Sequence, residues 1–194
     1  MAARHRIPEK DKQRKDIGMI RKINKEDFDG VFRIMEKSFP IDEFRTYEEQ
    51  KALMDNNLYS IYGNYGENGG VKAFIAVWEF SEFVYVEHFA VDPDCRNGGL
   101  GGKILHALMS QTDKPVCLEV EPPETEMAER RINFYRRNGF FLNEYPYMQP
   151  AISKGRNPLP LMIMTTGSSI SREKFQDIRD TLYKEVYKCK VENI

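Results

Sequence analysis

Long apolar runs are missing from this chain of 194 residues. None approaches the roughly 20 consecutive apolar residues that a membrane-spanning helix needs, so we expect no such helix and no membrane partner. The first residues are charged throughout and lack the apolar core of a secretion signal, so we expect no signal there. A strong net charge is missing too: 29 basic and 30 acidic residues give a net charge of −1, which offers no overall attraction to nucleic acid.

Cysteine is scarce as well. The chain has three, Cys95, Cys117 and Cys189, an odd number whose spacing does not resemble a metal site. We therefore expect free thiols, no bound metal and a cytoplasmic protein. The residues that are present, 41% apolar and 30% charged, are typical of a soluble globular domain with its own core. Residues 1–18 are polar and basic without apolar periodicity, so we predict a tail outside that core.

The most informative segment is glycine-rich and spans residues 96–103, where four glycines fall within five residues. An apolar run, residues 83–91, precedes it, and an amphipathic run, residues 100–109, follows it, which predicts a strand, a turn and a helix. Glycines let backbone N–H groups approach a ligand closely, and the N-terminus of a helix attracts anions. The segment therefore predicts an anion site, most simply for a pyrophosphate.

Two common phosphate motifs do not fit this segment. A P-loop has Ser or Thr after its Gly-Lys pair, but Ile104 follows Gly102-Lys103, and Asn97 stands where the first glycine of the motif belongs. A dinucleotide fingerprint that starts at Gly99 needs a small residue at position 104, which is again Ile104. Both nucleotide interpretations are therefore excluded.

The sequence Arg-x-x-Gly-x-Gly at positions 96–101, directly after a predicted strand, resembles the acyl-CoA-binding motif of the GNAT superfamily of N-acyltransferases. Residues 125–140 resemble the second motif of the family, in which a tyrosine, here Tyr135, precedes a Gly-Phe pair by one helical turn. Two motifs in this order are more specific than either alone. The chain is identified on these motifs as a GNAT member, with the resemblance covering roughly residues 19–166.

The resemblance implies the GNAT fold, an α/β (α+β) domain with a mixed, mostly antiparallel central sheet of about seven strands flanked by helices. Apolar periodicity and turn residues along the chain agree with the element order βααβββαβαββ. We predict that residues 19–168 form this domain. Residues 169–194 add a C-terminal helix that begins after Ser171 and packs on the same domain; its alternative role is a homodimer contact.

Acetyl-CoA is the cosubstrate that the resemblance implies. Backbone N–H groups of the glycine-rich loop would hold its pyrophosphate, and its pantetheine arm would lie along the preceding strand, where one N–H polarises the thioester carbonyl. The residues expected to bind it are Phe89, Ala90, Val91, Arg96, Asn97, Gly98, Gly99, Leu100, Gly101, Gly102, Lys103 and Asn133. Lys103 could face phosphate or solvent. One departure from the family pattern is Ala128, which replaces an asparagine that bonds pantetheine in many members.

Tyr135 is the candidate general acid that protonates the departing thiolate, because a phenol of pKa ~10 is protonated at neutral pH. The general base is left open between Glu87 and Glu119. Glu119 is slightly favoured, because its strand is expected to splay from the strand that binds CoA.

The side-chain directions on the CoA-binding strand follow from its period of two. Glu87 should share a sheet face with Phe89 and Val91, and His88 should lie on the opposite face.

The predicted function is transfer of an acetyl group from acetyl-CoA to a primary amine by direct attack in a ternary complex. The acceptor could be a small-molecule amine or an amine of a peptide or protein. Four acidic side chains near the predicted acceptor cleft would favour a cationic amine: Asp42, Glu43, Glu119 and Glu121. The alternative is a regulatory or sensor module that binds acyl-CoA without catalysis.

Overall fold

The computed structural model describes residues 19–189; the tail predicted for residues 1–18 lies outside the described residues, as do residues 190–194. Between residues 19 and 189 the chain forms seven strands, β1 (Arg21–Lys22), β2 (Tyr59–Tyr65), β3 (Val71–Glu79), β4 (Val84–Val91), β5 (Val116–Val120), β6 (Phe140–Gln149) and β7 (Leu159–Thr166). It also forms five α-helices, α1 (Phe28–Ser38), α2 (Tyr47–Ala52), α3 (Leu100–Met109), α4 (Glu126–Arg137) and α5 (Arg172–Thr181). No helix in this range is long and apolar enough to cross a membrane.

The strands form one sheet in the order β1-β2-β3-β4-β5-β7-β6. Neighbouring strands are antiparallel, except that β4 and β5 are parallel. This arrangement confirms the predicted mixed, mostly antiparallel sheet flanked by helices. Pairing between β4 and β5 ends at Val86 and Leu118, although both strands continue beyond these residues. The two strands therefore separate toward their carboxyl ends and leave a gap in the sheet.

A β-bulge in β4 lies at the start of this gap. Val86 pairs with Val77 of β3 and His88 pairs with Ala76, so Glu87 has no partner on β3. An extra residue of this kind bends the strand and redirects the side chains that follow. It changes the side-chain alternation one residue after the last pair between β4 and β5, so the bulge and the separation of the strands coincide.

The predicted side-chain directions around this bulge were wrong. Glu87 contacts Arg45 on the side of the sheet that is covered by α1, which we call the α1 side, and His88 lies on the same side against Phe39. Phe89 and Val91 lie on the opposite side, which α3 and α4 cover and which we call the α3 side. The period-two argument failed because the bulge inserts one residue into the alternation.

Each side of the sheet has its own apolar core. On the α1 side, buried residues from α1 and α5 meet the sheet: Phe28, Val31, Met35, Phe175 and Ile178. On the α3 side, the helices contribute Ile104, Leu105, Leu108 and Ile132. The spacing of these residues is the helical periodicity visible in the sequence, so each helix turns its apolar stripe to the sheet.

Residues 171–187 of the C-terminal extension pack into the core of the α1 side. Ser171 accepts a hydrogen bond from the Lys174 N–H at 3.2 Å and so caps α5. After α5 the chain widens into a π-turn, Leu182–Val186, in which the Tyr187 N–H bonds the Leu182 carbonyl at 3.1 Å. Leu182, Val186 and Tyr187 are buried there. The π-turn therefore brings Tyr187 against the sheet.

Candidate active site

A cleft of about 640 Å³ opens where β4 and β5 separate. Its wall combines the loop before α3, the free edge of β4, the end of β5 and one face of α4. The predicted site residues that line it are Glu87, Phe89, Ala90, Val91, Arg96, Asn97, Gly99, Leu100, Gly101, Gly102, Glu119 and Tyr135. Gly98, Lys103 and Asn133 are exposed and lie outside this lining.

The loop before α3 presents main-chain groups to the cleft. Asn97 and Gly99 both adopt the left-handed conformation with a φ of 71°, which asparagine and glycine tolerate best. Gly99 is the N-cap of α3 and has no side chain to cap the first turn, and a Cβ added to it would meet no atom within 4 Å. Because the first turn of a helix has unpaired N–H groups, this end of α3 can receive an anion.

Arg96 anchors the loop rather than pointing wholly into the cleft. Its Nε donates a hydrogen bond to the Val91 carbonyl at 3.1 Å, which ties the loop to the end of β4. The side chain is otherwise exposed, so its guanidinium remains accessible to an anion at the rim.

The segment Phe89-Ala90-Val91 has one free edge. These residues pair with Ile75, Phe74 and Ala73 of β3, but β5 has already left β4 at this point. Within residues 19–189 no strand covers their other edge, so main-chain N–H and C=O groups face the cleft. Such an edge can pair with an extended ligand as a further strand would.

Tyr135 lies on α4, on the α3 side of the gap. Its ring packs edge-on against Phe134 and Phe140, with centroids 5.2 and 5.6 Å away. The residue is 8% exposed, and within residues 19–189 its hydroxyl has no hydrogen-bond partner. Burial raises the pKa of Tyr135 to about 12, with Arg131 opposing the shift. The hydroxyl is therefore protonated at neutral pH and free to donate into the cleft.

Glu119 lies on β5, on the α1 side, and three tyrosine hydroxyls hold its carboxylate. Tyr85 donates to Oε2 at 2.8 Å, and Tyr187 lies 3.0 Å from Oε1 and 2.8 Å from Oε2. Tyr147 donates to Oε1 as well. Burial raises the pKa of Glu119, and the hydrogen bonds from the three tyrosines oppose that rise.

Glu87, the other candidate base, forms a buried ion pair. Its Oε1 accepts a hydrogen bond from Arg45 at 2.8 Å, and the two side chains are 1% and 7% exposed. His88 Nδ1 lies 3.3 Å from Oε2, while His88 Nε2 donates to the Glu43 carbonyl at 2.8 Å. Burial opposes the charge of Glu87, but Arg45 and His88 outweigh it and lower the pKa of Glu87 to about 2.

The part of the cleft where the acceptor was expected is less acidic than predicted. Asp42 is outside the lining and accepts two hydrogen bonds from Asn157, at 3.0 and 3.1 Å. Glu121 is paired with Arg131 at 2.8 Å. Of the four acidic residues expected near the acceptor, only Glu43 and Glu119 line the cleft. Within residues 19–189 neither of them forms an ion pair.

Several residues of this site were missed by the sequence analysis. Tyr85 and Tyr147 lie in strands, where a tyrosine that alternates with other residues is normally interpreted as part of the apolar core. β6 continues to Gln149 after an irregular register between Asn143 and Tyr147, which places Tyr147 within the strand. Tyr187 follows the apolar stripe of α5 without belonging to it, and the π-turn that brings it inward has no sequence signal.

Comparisons with known proteins agree on the family. The family model described as an acetyltransferase (GNAT) domain matches residues 57–141. A solved GNAT-family structure from Bacteroides thetaiotaomicron, provisionally named an acetyltransferase, is 36% identical, covers 88% of this chain and 99% of its own, and has a TM-score of 0.78. The ribosomal-protein-S18-alanine N-acetyltransferase from Escherichia coli, 23% identical over 79% of this chain and 96% of its own with a TM-score of 0.56, shows the fold alone.

A curated relative matches over a shorter range. YjbC of Bacillus subtilis (strain 168), also provisionally named an acetyltransferase, is 33% identical over 104 residues, which is 53% of this chain. The chain thus spans about half of YjbC, 52% of its length.

The ion pair of Glu87 predicts a pH-dependent loss of stability in the variant Glu87→Gln. The folded-state pKa of about 2 lies below the ordinary glutamate value of 4.5, so the charge of Glu87 stabilises the fold above pH 4.5, and this contribution fades as the pH falls toward 2. At pH 7 the variant should lose on the order of 3 kcal/mol of unfolding free energy, and roughly half of that or less at pH 3.

Urea unfolding of both proteins across this pH range measures the difference. Glu144→Gln, at an exposed position of β6, is the matched control and should cost little at any pH. A loss for Glu87→Gln that did not change with pH would contradict the ion-pair interpretation.

Proposed function

The chain belongs to the GNAT acetyltransferase family, and from this premise we propose that it transfers an acetyl group from acetyl-CoA to a primary amine by direct attack in a ternary complex. The observation that carries the proposal is the placement of Tyr135 and Glu119. They lie on opposite sides of the sheet, yet both line the one cleft that also contains the N-terminus of α3 and the free edge of β4. An acid and a base thus flank a site that can hold the donor.

The cleft suits acetyl-CoA in two respects. The uncapped first turn of α3, with Gly99 at its start and Arg96 at the rim, fits a pyrophosphate. The free edge of Phe89-Ala90-Val91 fits the amide groups of a pantetheine arm, and an N–H of this edge would polarise the thioester carbonyl. When bound, acetyl-CoA supplies the acetyl thioester that an amine attacks. Holding both reactants in one cleft contributes much of the acceleration.

We assign the general base to Glu119 rather than Glu87. At neutral pH an aliphatic amine is mostly protonated and must lose a proton before its lone pair can attack. Glu87, with a pKa of about 2 and a guanidinium already bound, is a poor acceptor for that proton. Burial raises the pKa of Glu119, which makes it the stronger base of the two.

Tyr135 completes the reaction on the α3 side. As the C–S bond breaks, its hydroxyl gives a proton to the leaving sulfur, and Glu119 holds the proton taken from the amine on the α1 side. The amine would therefore enter from the α1 side and CoA would leave along the α3 side. Because Cys95, Cys117 and Cys189 are free thiols, we place this activity in the reducing cytoplasm.

Thiol release from acetyl-CoA tests the proposal. The purified protein would be assayed against small-molecule amines, polyamines and peptides with a free N-terminus, and acetylated products would be identified by mass spectrometry. Calorimetry with acetyl-CoA alone runs in parallel. Amine-dependent thiol release is the expected result; binding of acetyl-CoA without turnover on any amine would instead support a sensor module.

Tyr135→Phe should lower kcat about 100-fold, because the variant cannot protonate the leaving sulfur. The KM for acetyl-CoA should change little, since the ring and its packing against Phe140 remain. Steady-state kinetics with the best acceptor measures both constants. Tyr145→Phe is the matched control: its hydroxyl bonds the Ile170 carbonyl at 3.0 Å, outside the cleft, and its removal should leave kcat nearly unchanged. Equal turnover in the wild type and Tyr135→Phe would refute the acid assignment.

Glu119→Gln should lower kcat/KM by about 100-fold or more and abolish the fall of activity at low pH. In the wild type, activity should decline as the pH drops, because protonation of Glu119 removes the base. A pH profile of kcat/KM for both proteins makes the measurement, with Glu144→Gln as the control for loss of a glutamate charge. If the variant kept the activity of the wild type and its low-pH decline, another group would be the base.

A further inference from the structure

We propose that residues 182–187 of the C-terminal extension complete the active centre, with Tyr187 as a positioning residue that orients the carboxylate of Glu119. The inference rests on the proposed role of Glu119 as the base. It assigns to residues 182–187 a function beyond packing, although they lie outside both sequence motifs.

The hydrogen bonds around Glu119 come from three separate parts of the chain. Tyr85 is on β4, Tyr147 is on β6, and Tyr187 follows the π-turn. The Tyr187 hydroxyl lies within 3.0 Å of both carboxylate oxygens and 3.0 Å from the Tyr85 hydroxyl. Of the three tyrosines, Tyr187 is therefore the one that contacts both carboxylate oxygens and also the Tyr85 hydroxyl. Removal of its hydroxyl would disturb the hydrogen bonds of both Glu119 and Tyr85.

The three tyrosines lie behind Glu119 as seen from the cleft. Glu119 lines the cleft, whereas Tyr85, Tyr147 and Tyr187 are not part of that lining. A carboxylate has about four lone-pair positions, so donors on one side can fix its plane and leave a position open toward the cleft. This is the orientation in which Glu119 could accept a proton from an incoming amine.

The π-turn is what brings Tyr187 to this place. In an α-helix the Leu182 carbonyl would accept a hydrogen bond from the N–H four residues later, that of Val186. Here it accepts one from the N–H of Tyr187, five residues later, at 3.1 Å. The Val186 carbonyl next to it accepts a hydrogen bond from Arg45 Nη2 at 3.3 Å. The same turn therefore contacts the Arg45–Glu87 ion pair and the Glu119 carboxylate. π-turns of this kind often occur at functional sites.

The charged form of Glu119 needs this support. Burial and the nearby negative charge of Glu87 both raise its pKa, whereas the hydroxyls of Tyr147, Tyr187 and Tyr85 lower it. On the same strand, burial and then the charge of Glu119 raise the pKa of the Cys117 thiol. Removal of one hydroxyl should therefore move the protonation of Glu119 to higher pH.

Tyr187→Phe tests the inference without requiring turnover. Carboxyl-¹³C-glutamate labelling follows the titration of Glu119 by NMR, and its signal is assigned by its loss in Glu119→Gln. The titration midpoint should rise by about one pH unit in Tyr187→Phe. The matched control is Tyr183→Phe, in the same turn, whose hydroxyl donates to the Met148 carbonyl and is not bonded to Glu119; its midpoint should stay within about 0.2 units of the wild type.

The kinetic arm links the titration to catalysis. The low-pH decline of kcat/KM should shift upward with the NMR midpoint in Tyr187→Phe, so that activity below the midpoint falls up to about tenfold while the high-pH plateau changes less than about twofold. Equal midpoints in Tyr187→Phe and Tyr183→Phe would overturn the positioning role. An NMR shift without a shift of the pH profile would instead show that Glu119 is not the base, and the extension would then have no part in the active centre. If the wild type released no thiol with any amine, the proposed function would fail, and the NMR result alone would decide whether Tyr187 controls Glu119.

Discussion

The early end of the pairing between β4 and β5 is the constraint on which the site depends. A parallel pair that continued would bond the edge of β4 to β5 and close the sheet between its two sides. Here the bulge at Glu87 interrupts β4 directly after the last pair, Val86 with Leu118. The gap then exposes the main chain of residues 89–91, and it lets Tyr135 on one side and Glu119 on the other reach a common cleft.

Two glutamates at this gap have opposite electrostatic environments. Glu87 faces a guanidinium, and the attraction exceeds the cost of burial, so it remains charged and is committed to Arg45. Glu119 faces neutral hydroxyls, which support a charge less strongly than a cation does, so burial still raises its pKa. One carboxylate is therefore held in an ion pair, and the other can exchange a proton. The difference arises from the partners of each residue, since the residue type is the same.

Local patterns predicted the order of the elements and the turn before α3 correctly, because they depend on residues that are close in the chain. The stripe of α3, the capping residue of α5 and the turn at Gly99 are all of this kind. The face of Glu87 could not be predicted, because the bulge is defined by the register between β3 and β4. The group around Glu119 was missed for a similar reason: Tyr85, Tyr147 and Tyr187 come together only through the whole sheet and the π-turn.

The same distinction explains why the sequence says more about the donor than about the acceptor. The proposed donor half of the cleft uses main-chain groups of one continuous segment, from the end of β4 to the first turn of α3. The proposed acceptor half is lined by side chains from distant elements: Glu43 from the turn before α2, Arg131 from α4, and Gln149 from β6. Gln149 is 4% exposed, and its Nε2 has no hydrogen-bond partner within residues 19–189, so a polar group of the acceptor could satisfy it. In the proposed reaction these three side chains can differ without any change in the donor segment, because they lie on other elements.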